Sequence, residues 1–310
     1  MSIDLSTLAP SCPMSTDPSA TPDCARRLVL AECQKQMRAE GQFGEVDMGR
    51  YRCRYIAWGR GTTLVLIPGM ASEAESFVML LARLRSRFRC IAYDLPDGVH
   101  DGARLMRYRH ADLVGDLFAL LDHLKIRECA LHGFSFGSTI ALAAAHRSPS
   151  RFSHLVLQSG FAQRRLARTE VFAASFARFL PGRLRHLPMV RTIVEKNHRE
   201  PFLARESAVW DYFVERHCAV PLRAFAHRAL MLHATNLRAL LPMIPVPTLL
   251  VCGDRDPLVG RACEAELLAG LKICGRAEIE QCGHHAHLTH PEVLAEVLQQ
   301  FLARSIQAQG

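Results

Sequence analysis

The fold is decided by the stretch Cys129-Ala130-Leu131-His132-Gly133-Phe134-Ser135-Phe136-Gly137. It runs from an apolar strand pattern into Gly-x-Ser-x-Gly and then into a helical pattern, a turn so sharp that it strains the backbone at the serine. Glycines two residues on either side remove the Cβ atoms that would collide with the neighbouring strand and helix. We therefore expect the Ser135 hydroxyl to be exposed at the helix N-terminus. A plain glycine-rich turn is the alternative.

The segments around this turn alternate between short apolar runs and amphipathic stretches. The apolar runs are residues 64–67, 90–93, 129–132, 155–157, 249–252 and 277–279. The helical stretches between them include residues 72–88, 110–124 and 136–146. Residues 50–58 alternate arginine with apolar side chains, as a strand with one wet face does. Apolar strands alternating with helices predict an α/β fold with a mostly parallel sheet covered on both faces.

The length of 310 residues and the hydrophobic fraction of 49% suit one large core. We expect a single α/β domain over residues 23–310, after a disordered tail over residues 1–22 that is rich in Ser, Thr and Pro. This tail lacks the basic start and apolar block of a signal peptide. The long interval from Phe161 to Ile244 is mostly helical, with prolines as breaks. It predicts a helical lid, inserted between two strands over about residues 162–244.

Composition disfavours a membrane-spanning protein and a protein with a cysteine-ligated metal. The chain has no run of the ~18 apolar residues that a membrane span needs. Its eleven cysteines show no metal-type pairing, and many lie inside apolar runs. They are expected to be reduced core residues of a cytoplasmic protein.

The net charge of +8 is concentrated in one region. Residues 162–244 hold fourteen Lys plus Arg and six Asp plus Glu, which leaves 24 of each elsewhere. Nucleic-acid binding is disfavoured because no basic stripe interleaved with aromatic residues accompanies the charge. Two interpretations stay open, in which the arginines are solvated outer faces of helices or concentrate anionic substrates near an entrance. The arginines concerned include Arg164, Arg165, Arg168, Arg178, Arg183 and Arg185.

A serine hydroxyl needs a nearby base, and the base needs a partner that fixes its tautomer. Two later apolar runs end in suitable residues. Residues 249–252 lead into Gly253-Asp254-Arg255-Asp256-Pro257, and residues 277–279 precede Gln281-Cys282-Gly283-His284-His285. The chain order is then serine, aspartate, histidine.

These motifs resemble the α/β-hydrolase superfamily, whose triad follows the same order. Residues 244–250, Ile-Pro-Val-Pro-Thr-Leu-Leu, are similar to its approach to the acid-bearing strand. Residues 283–288, Gly-His-His-Ala-His-Leu, followed by Pro291-Glu292, are similar to its histidine loop and last helix. The likeness covers about residue 45 to the C-terminus. It implies the α/β-hydrolase fold with a lid.

The resemblance also assigns the site residues. It puts the acid on the aspartate before proline, Asp256, and the base on the histidine directly after glycine, His284. His285, His287 and His290 are then bystanders that pack or lie at the surface. A metal site made of these histidines is disfavoured, because the spacing offers no carboxylate or cysteine support. No metal or organic cofactor is implied.

Two backbone N–H groups are expected to stabilise the oxyanion of the intermediate. One belongs to Phe136, directly after the nucleophile. The other belongs to Met70, because Pro68-Gly69-Met70 resembles the His-Gly-x loop of the family with proline in place of histidine. Because a serine, Ser135, occupies the sharp turn between strand and helix, an aspartate nucleophile, as in haloalkane dehalogenases and epoxide hydrolases, is disfavoured.

The predicted function is hydrolysis of a carboxylic ester or thioester of a small, largely apolar substrate through an acyl-enzyme. The alternatives are a carbon-carbon bond hydrolase of dicarbonyl compounds and a non-catalytic ligand-binding protein with this fold. Aromatic residues of the lid are candidates for an apolar substrate pocket, although about half of them are expected simply to pack the lid helices. They are Phe172, Phe176, Phe179, Trp210, Tyr212 and Phe213.

Overall fold

The computed structural model describes residues 29–99 and 101–303. Its centre is an eight-stranded sheet in the order β1-β2-β4-β3-β5-β6-β7-β8. Strands β1 and β2 are antiparallel to their neighbours, and all pairs from β4 to β8 are parallel. The strands are β1 Gln42–Asp47, β2 Arg52–Trp58, β3 Thr62–Ile67, β4 Phe88–Tyr93, β5 Cys129–Phe134, β6 Phe152–Gln158, β7 Thr248–Gly253 and β8 Cys274–Ile279.

Helices cover both faces of this sheet, as predicted. Two hydrophobic clusters, one on each face, contain alternate residues of the same strands; Leu64 and Leu66 belong to one cluster and Val65 and Ile67 to the other. The helices are α1 Leu30–Glu40, α2 Val78–Leu84, α3 His110–His123, α4 Phe136–Arg147, α5 Arg168–Ala177, α6 Val190–Phe202, α7 Ser207–Ala219, α8 Leu222–Ala234, α9 Arg261–Gly270, α10 Ala286–Thr289 and α11 Pro291–Ala303. None of the helices within the described residues has the length and apolarity to cross a bilayer.

Strand β1 is the element that the sequence pattern missed. It lies at the edge of the sheet and pairs with β2 alone, and only Val46 is buried along its length. A strand with one covered position lacks the apolar alternation by which strands are recognised. Its pairing with β2 lengthens the antiparallel end of the sheet.

The N-terminal predictions fall partly outside the described residues. This holds for the tail over residues 1–22 and for Cys12 and Cys24. The nine cysteines within the described part of the chain are all free.

The helical insertion, residues 162–244, leaves the sheet after β6 and returns before β7, and contains α5 to α8. The six aromatic residues named in the sequence analysis divide into two groups. Trp210, Tyr212 and Phe213 of α7 are buried in the core cluster that also covers the sheet. Phe172, Phe176 and Phe179 are exposed, so the expectation that they line an apolar pocket is wrong. Helix α5 packs through alanine instead and turns its phenylalanines outward.

Candidate active site

Ser135 lies at the strained turn that the sequence predicts. It connects β5 directly to α4 with φ 51° and ψ −115°, a left-handed conformation that non-glycine residues rarely adopt. A Cβ atom at Gly133 would lie 2.7 Å from the Ser138 Cα, and one at Gly137 would lie 2.7 Å from the Pro68 carbonyl oxygen. Both glycines are therefore required by close backbone approach, and together they let the turn project the serine.

Asp256 and His284 meet although they follow different strands. Asp256 comes after β7 and His284 after β8, and these strands are neighbours in the sheet. The His284 Nδ1 lies 2.8 Å from the Asp256 Oδ2, and the two side chains are only 6% and 3% exposed. A buried aspartate at this distance holds the imidazole in the tautomer that carries its proton on Nδ1. The Nε2 atom is then free to accept a proton.

The interaction with His284, together with local hydrogen bonds, keeps Asp256 ionised. Its Oδ1 accepts from the N–H groups of Leu258 and Val259, at 2.8 and 3.1 Å. Burial by itself would raise the pKa of Asp256, but the interaction with His284 and these hydrogen bonds outweigh burial and lower the pKa to about 2. The carboxylate is therefore charged at neutral pH and orients the imidazole electrostatically.

Asp254, the other aspartate of the turn after β7, has a different contact from Asp256. Its Oδ1 accepts the N–H of Cys282 at 3.0 Å, which ties the turn after β7 to the loop that carries His284. Its role in this geometry is to shape the loop, and Asp256 contacts the imidazole.

Ser135 and His284 are linked through Gln158 at the end of β6. The Gln158 carbonyl accepts the Ser135 N–H at 2.9 Å, and its side-chain amide donates to the His284 carbonyl at 3.3 Å. The Phe134 ring lies 5.0 Å from the His284 ring. The hydrogen bonds of the described residues do not include one from the Ser135 hydroxyl to His284. Such contacts in substrate-free sites commonly tighten only when substrate binds.

The two expected oxyanion donors border Ser135. Phe136 is the first residue of α4, so its N–H has no acceptor within the helix. Gly69 approaches so closely that an added Cβ would lie 3.5 Å from the Ser135 Cβ and 2.9 Å from the Phe134 ring. The loop that carries Met70 therefore runs beside the serine.

Arg228 of α8 is a residue of this site that sequence reasoning missed. Its guanidinium is buried and donates to the carbonyl of Met70 at 2.8 Å and to those of Leu95 and Pro96 at 3.0 Å each. Burial lowers the pKa of Arg228. The sequence signal was an arginine in the run from residue 224 to 232, which is apolar apart from His227 and Arg228. The insertion is thereby bonded to the loop that holds a candidate oxyanion donor.

Histidines fill the contact between the insertion and the sheet. His285 lies between His198 of α6 and the Phe213 ring of α7, with ring centroids 5.0 and 4.5 Å away, and His198 lies 5.8 Å from His217. Burial lowers the pKa of His198 to about 3 and that of His217 to about 4. These rings are neutral packing elements at physiological pH. His287 is buried, and its Nδ1 lies 3.1 Å from the Gln158 amide.

A cleft of about 590 Å³ lies elsewhere, between β1, β2 and the insertion, and Ser135 does not line it. Five of the charged side chains that line it form ion pairs with one another. Arg216 pairs with Glu73 at 3.0 Å and also with Glu75, and Arg54 pairs with Asp94 at 2.9 Å. Across the described ranges, no three His, Cys, Asp or Glu side chains are grouped to hold a metal ion.

Comparison with known proteins places this geometry among hydrolases. The model of the alpha/beta hydrolase family matches residues 64–297. A pimeloyl-[acyl-carrier protein] methyl ester esterase of Stenotrophomonas maltophilia is 28% identical over 81% of this chain and 97% of its own. A 2-hydroxymuconate semialdehyde hydrolase of Pseudomonas putida is 29% identical over 84% and 94%. The solved enol-lactonase of Burkholderia xenovorans LB400 aligns with TM-score 0.76 at 21% identity, over 84% of this chain and 100% of that one.

Proposed function

The chain belongs to the alpha/beta hydrolase family and is a hydrolase, and from this premise we propose that it cleaves a carboxylic ester or thioester through a Ser135 acyl-enzyme. The observation that carries the proposal is the buried Asp256–His284 pair, 2.8 Å apart, at the end of the sheet where Ser135 projects from its strained turn. This arrangement supplies a nucleophile, a base and an orienting carboxylate.

In the proposed mechanism, the Ser135 Oγ attacks the substrate carbonyl carbon as the His284 Nε2 takes the hydroxyl proton. The negative charge that develops on the carbonyl oxygen is stabilised by the N–H groups of Met70 and Phe136. Collapse of the intermediate breaks the bond to the leaving group, which receives the proton from His284. Water, deprotonated by His284, then attacks the acyl-enzyme and releases the acid and the free serine. Asp256 stays ionised and stabilises the imidazolium throughout.

The insertion is proposed to act as the lid of this site. Helix α8 carries Arg228, whose hydrogen bond to the Met70 carbonyl joins the insertion to the oxyanion loop. The substrate walls are then formed between the insertion and the ends of the strands, and the substrate is a small, largely apolar molecule.

Covalent labelling with a fluorophosphonate tests the proposal directly. We expect the wild type and the Ser150→Ala control, which changes an exposed serine, to be labelled, and Ser135→Ala to stay unlabelled. A subsequent screen of p-nitrophenyl esters of different acyl lengths identifies the preferred substrate. Labelling that persists in Ser135→Ala would refute the nucleophile, and failure to label the wild type would favour a binding protein.

Carbon-carbon bond hydrolysis is the second candidate, favoured by the 29% identity to 2-hydroxymuconate semialdehyde hydrolase over most of both chains. The two functions share the serine and are separated by substrate. An enzyme of the second kind turns over a dicarbonyl compound with kcat/KM well above that for any p-nitrophenyl ester. The reverse order supports the ester assignment.

A further inference from the structure

Helix α5 presents its large apolar side chains to solvent. Phe172 is 76% exposed, Phe176 67% and Phe179 62%. Their spacing of four and then three residues puts them on one stripe, and the backbone continues in helical turns past Ala177 through a hydrogen bond from the Phe179 N–H to the Phe176 carbonyl. Soluble proteins rarely expose a contiguous apolar stripe without a binding role.

The opposite face of α5 shows that this orientation is built into the helix. The buried residue of the helix is Ala174, which packs against Ala226 and Ala229 of α8. Small side chains therefore hold the helix against the insertion, and the phenylalanines are excluded from this contact by the close packing of alanines. The stripe is free to contact something outside the protein.

The charges around the stripe identify its partner. Between residues 164 and 191 the sequence has seven arginines and one carboxylate, Glu170, whose carboxylate accepts the Ala167 N–H at the start of α5. Arg165, Arg168 and Arg185 are exposed and form no ion pair within the described part of the chain. Arg168 lies four residues before Phe172, on the same stripe. Arg178 lies with its guanidinium 4.8 Å from the centroid of the Phe179 ring.

We propose that the stripe Phe172, Phe176 and Phe179, with its flanking arginines, docks on an anionic lipid bilayer. Phenylalanine rings enter the boundary between headgroups and acyl chains, and arginines pair with anionic headgroups. A second copy of the chain is the poorer fit, because two such faces would bring their arginines together. Steering of small anionic substrates requires the charges alone and leaves the exposed rings unexplained. Single-stranded nucleic acid would need bases to stack on the rings along a groove that tracks its backbone, whereas these rings stand on one face of a helix.

The position of the stripe connects it to the candidate site. Helix α5 packs on α8, and Arg228 of α8 holds the Met70 carbonyl. A bilayer bound at α5 therefore lies one helix away from the candidate oxyanion loop. The docking itself does not depend on the proposed chemistry, and its test measures binding without turnover.

Vesicle co-sedimentation tests the docking with the full chain. We expect the wild type at 0.1 M NaCl to sediment with vesicles of equal phosphatidylglycerol and phosphatidylcholine, and to remain in solution with phosphatidylcholine alone. The triple variant Phe172→Ser, Phe176→Ser, Phe179→Ser should bind at least tenfold more weakly. Phe43→Ser, which removes another exposed phenylalanine on β1, is the matched control and should bind like the wild type.

The arginines are tested by Arg165→Gln with Arg168→Gln, which should weaken binding and flatten its dependence on salt. Circular dichroism confirms that each variant is folded. Wild-type binding in the triple variant, equal binding to both vesicle types, or no sedimentation of the wild type overturns the proposal. A shift to dimers in the wild type that the triple variant lacks identifies a second copy as the partner instead. Displacement from vesicles by an oligodeoxythymidine would point to nucleic acid.

Discussion

The sheet and helix α5 of the insertion place their phenylalanines in opposite environments. At the sheet, Phe77, Phe134 and Phe136 are fully buried and pack around the ends of the strands. In the insertion, α5 exposes Phe172 and Phe176 and packs through alanine. The rigid core therefore holds the candidate catalytic residues, while the insertion divides its residues between support of that core and an outer surface.

Catalysis and surface binding place different demands on the positions of side-chain atoms. The pair of Asp256 and His284 needs atoms fixed within a hydrogen-bond length, and buried strand ends provide that rigidity. A surface that binds lipids needs exposed rings and charges, but its atoms need not be fixed within a hydrogen-bond length of one another. The predictions below separate what the sheet does from what the insertion adds.

The largest loss of activity is expected from substitutions of the candidate catalytic residues at the strand ends. Ser135→Ala and His284→Ala should each lower kcat by several orders of magnitude, and the double variant should be little worse, because residues that act in one mechanism are strongly non-additive. Steady-state kinetics of the purified variants measure this, with Ser150→Ala as the control. Losses that multiply in the double variant would contradict a shared mechanism.

Asp256→Asn should lower kcat on the order of 10⁴-fold, because the amide cannot hold the imidazole in its required tautomer. Asp254→Asn should cost far less, since the Asp254 carboxylate accepts the backbone N–H of Cys282, a bond that an asparagine side-chain oxygen can also accept. Kinetics of both variants at pH 7.5 provide the comparison. Equal losses, or a larger loss for Asp254→Asn, would refute the choice of acid.

Arg228→Met tests how much the insertion contributes to holding the loop that carries Met70. We expect kcat to fall roughly 10- to 100-fold with a smaller change in KM. The Met70 N–H is proposed to stabilise only the transition state, and loss of Arg228 would displace it. Arg223→Met on the same helix is the control. The affinity for a trifluoromethyl ketone, which mimics the tetrahedral intermediate, should fall in parallel with kcat/KM per labelled active site. Unchanged affinity for this inhibitor would leave Arg228 with a role in folding alone.

Acid should destabilise the contact between the two regions. His198 and His217 have pKa values lowered to about 3 and about 4 by burial, whereas an unfolded histidine titrates near ~6.5. Below pH ~6.5 the unfolded chain therefore binds protons that the folded protein does not, and stability falls as the pH drops toward 4. Each ring contributes up to about 1 kcal/mol per pH unit between these two pKa values.

Urea unfolding at pH 7.5, 6.0 and 5.0 measures this dependence. The His198→Phe variant keeps an aromatic ring beside Phe213 and should show a smaller loss of stability with acid. His123→Gln, at an exposed position, should match the wild type. A wild-type free energy of unfolding that is constant between pH 7.5 and 5.0 would show that the buried rings accept protons without penalty.

The smallest effect concerns steering by the basic insertion. An ester that bears a carboxylate and its neutral isostere should have kcat/KM values within about twofold of each other and the same salt dependence in the absence of vesicles. Exposed arginines on an outer helix face are screened beyond ~10 Å at 0.1 M salt. Kinetics at three salt concentrations measure this. A preference for the anionic ester that vanishes with salt would assign the arginines to substrate capture.

The sequence by itself determined the parts whose cause is local. The glycines around Ser135 are required by a strand-to-helix turn, and the apolar run before Asp256 predicts a buried strand. The edge strand β1 escaped because only one of its residues is buried. Such patterns extend over only a few residues, so the central strands and the flanking helices could be predicted without coordinates, and the candidate site residues could be proposed.

The tertiary structure alone decided how distant segments meet. Arg228 bonds to a carbonyl 158 positions away, and His198 of the insertion packs on His285. No short window of sequence specifies such contacts, because they depend on how the insertion lies across the sheet. The same holds for α5, whose phenylalanines suggested a pocket. Whether an apolar stripe faces inward or outward is set by what packs on the opposite side, and here the close fit of Ala174 against α8 turns the phenylalanines to solvent.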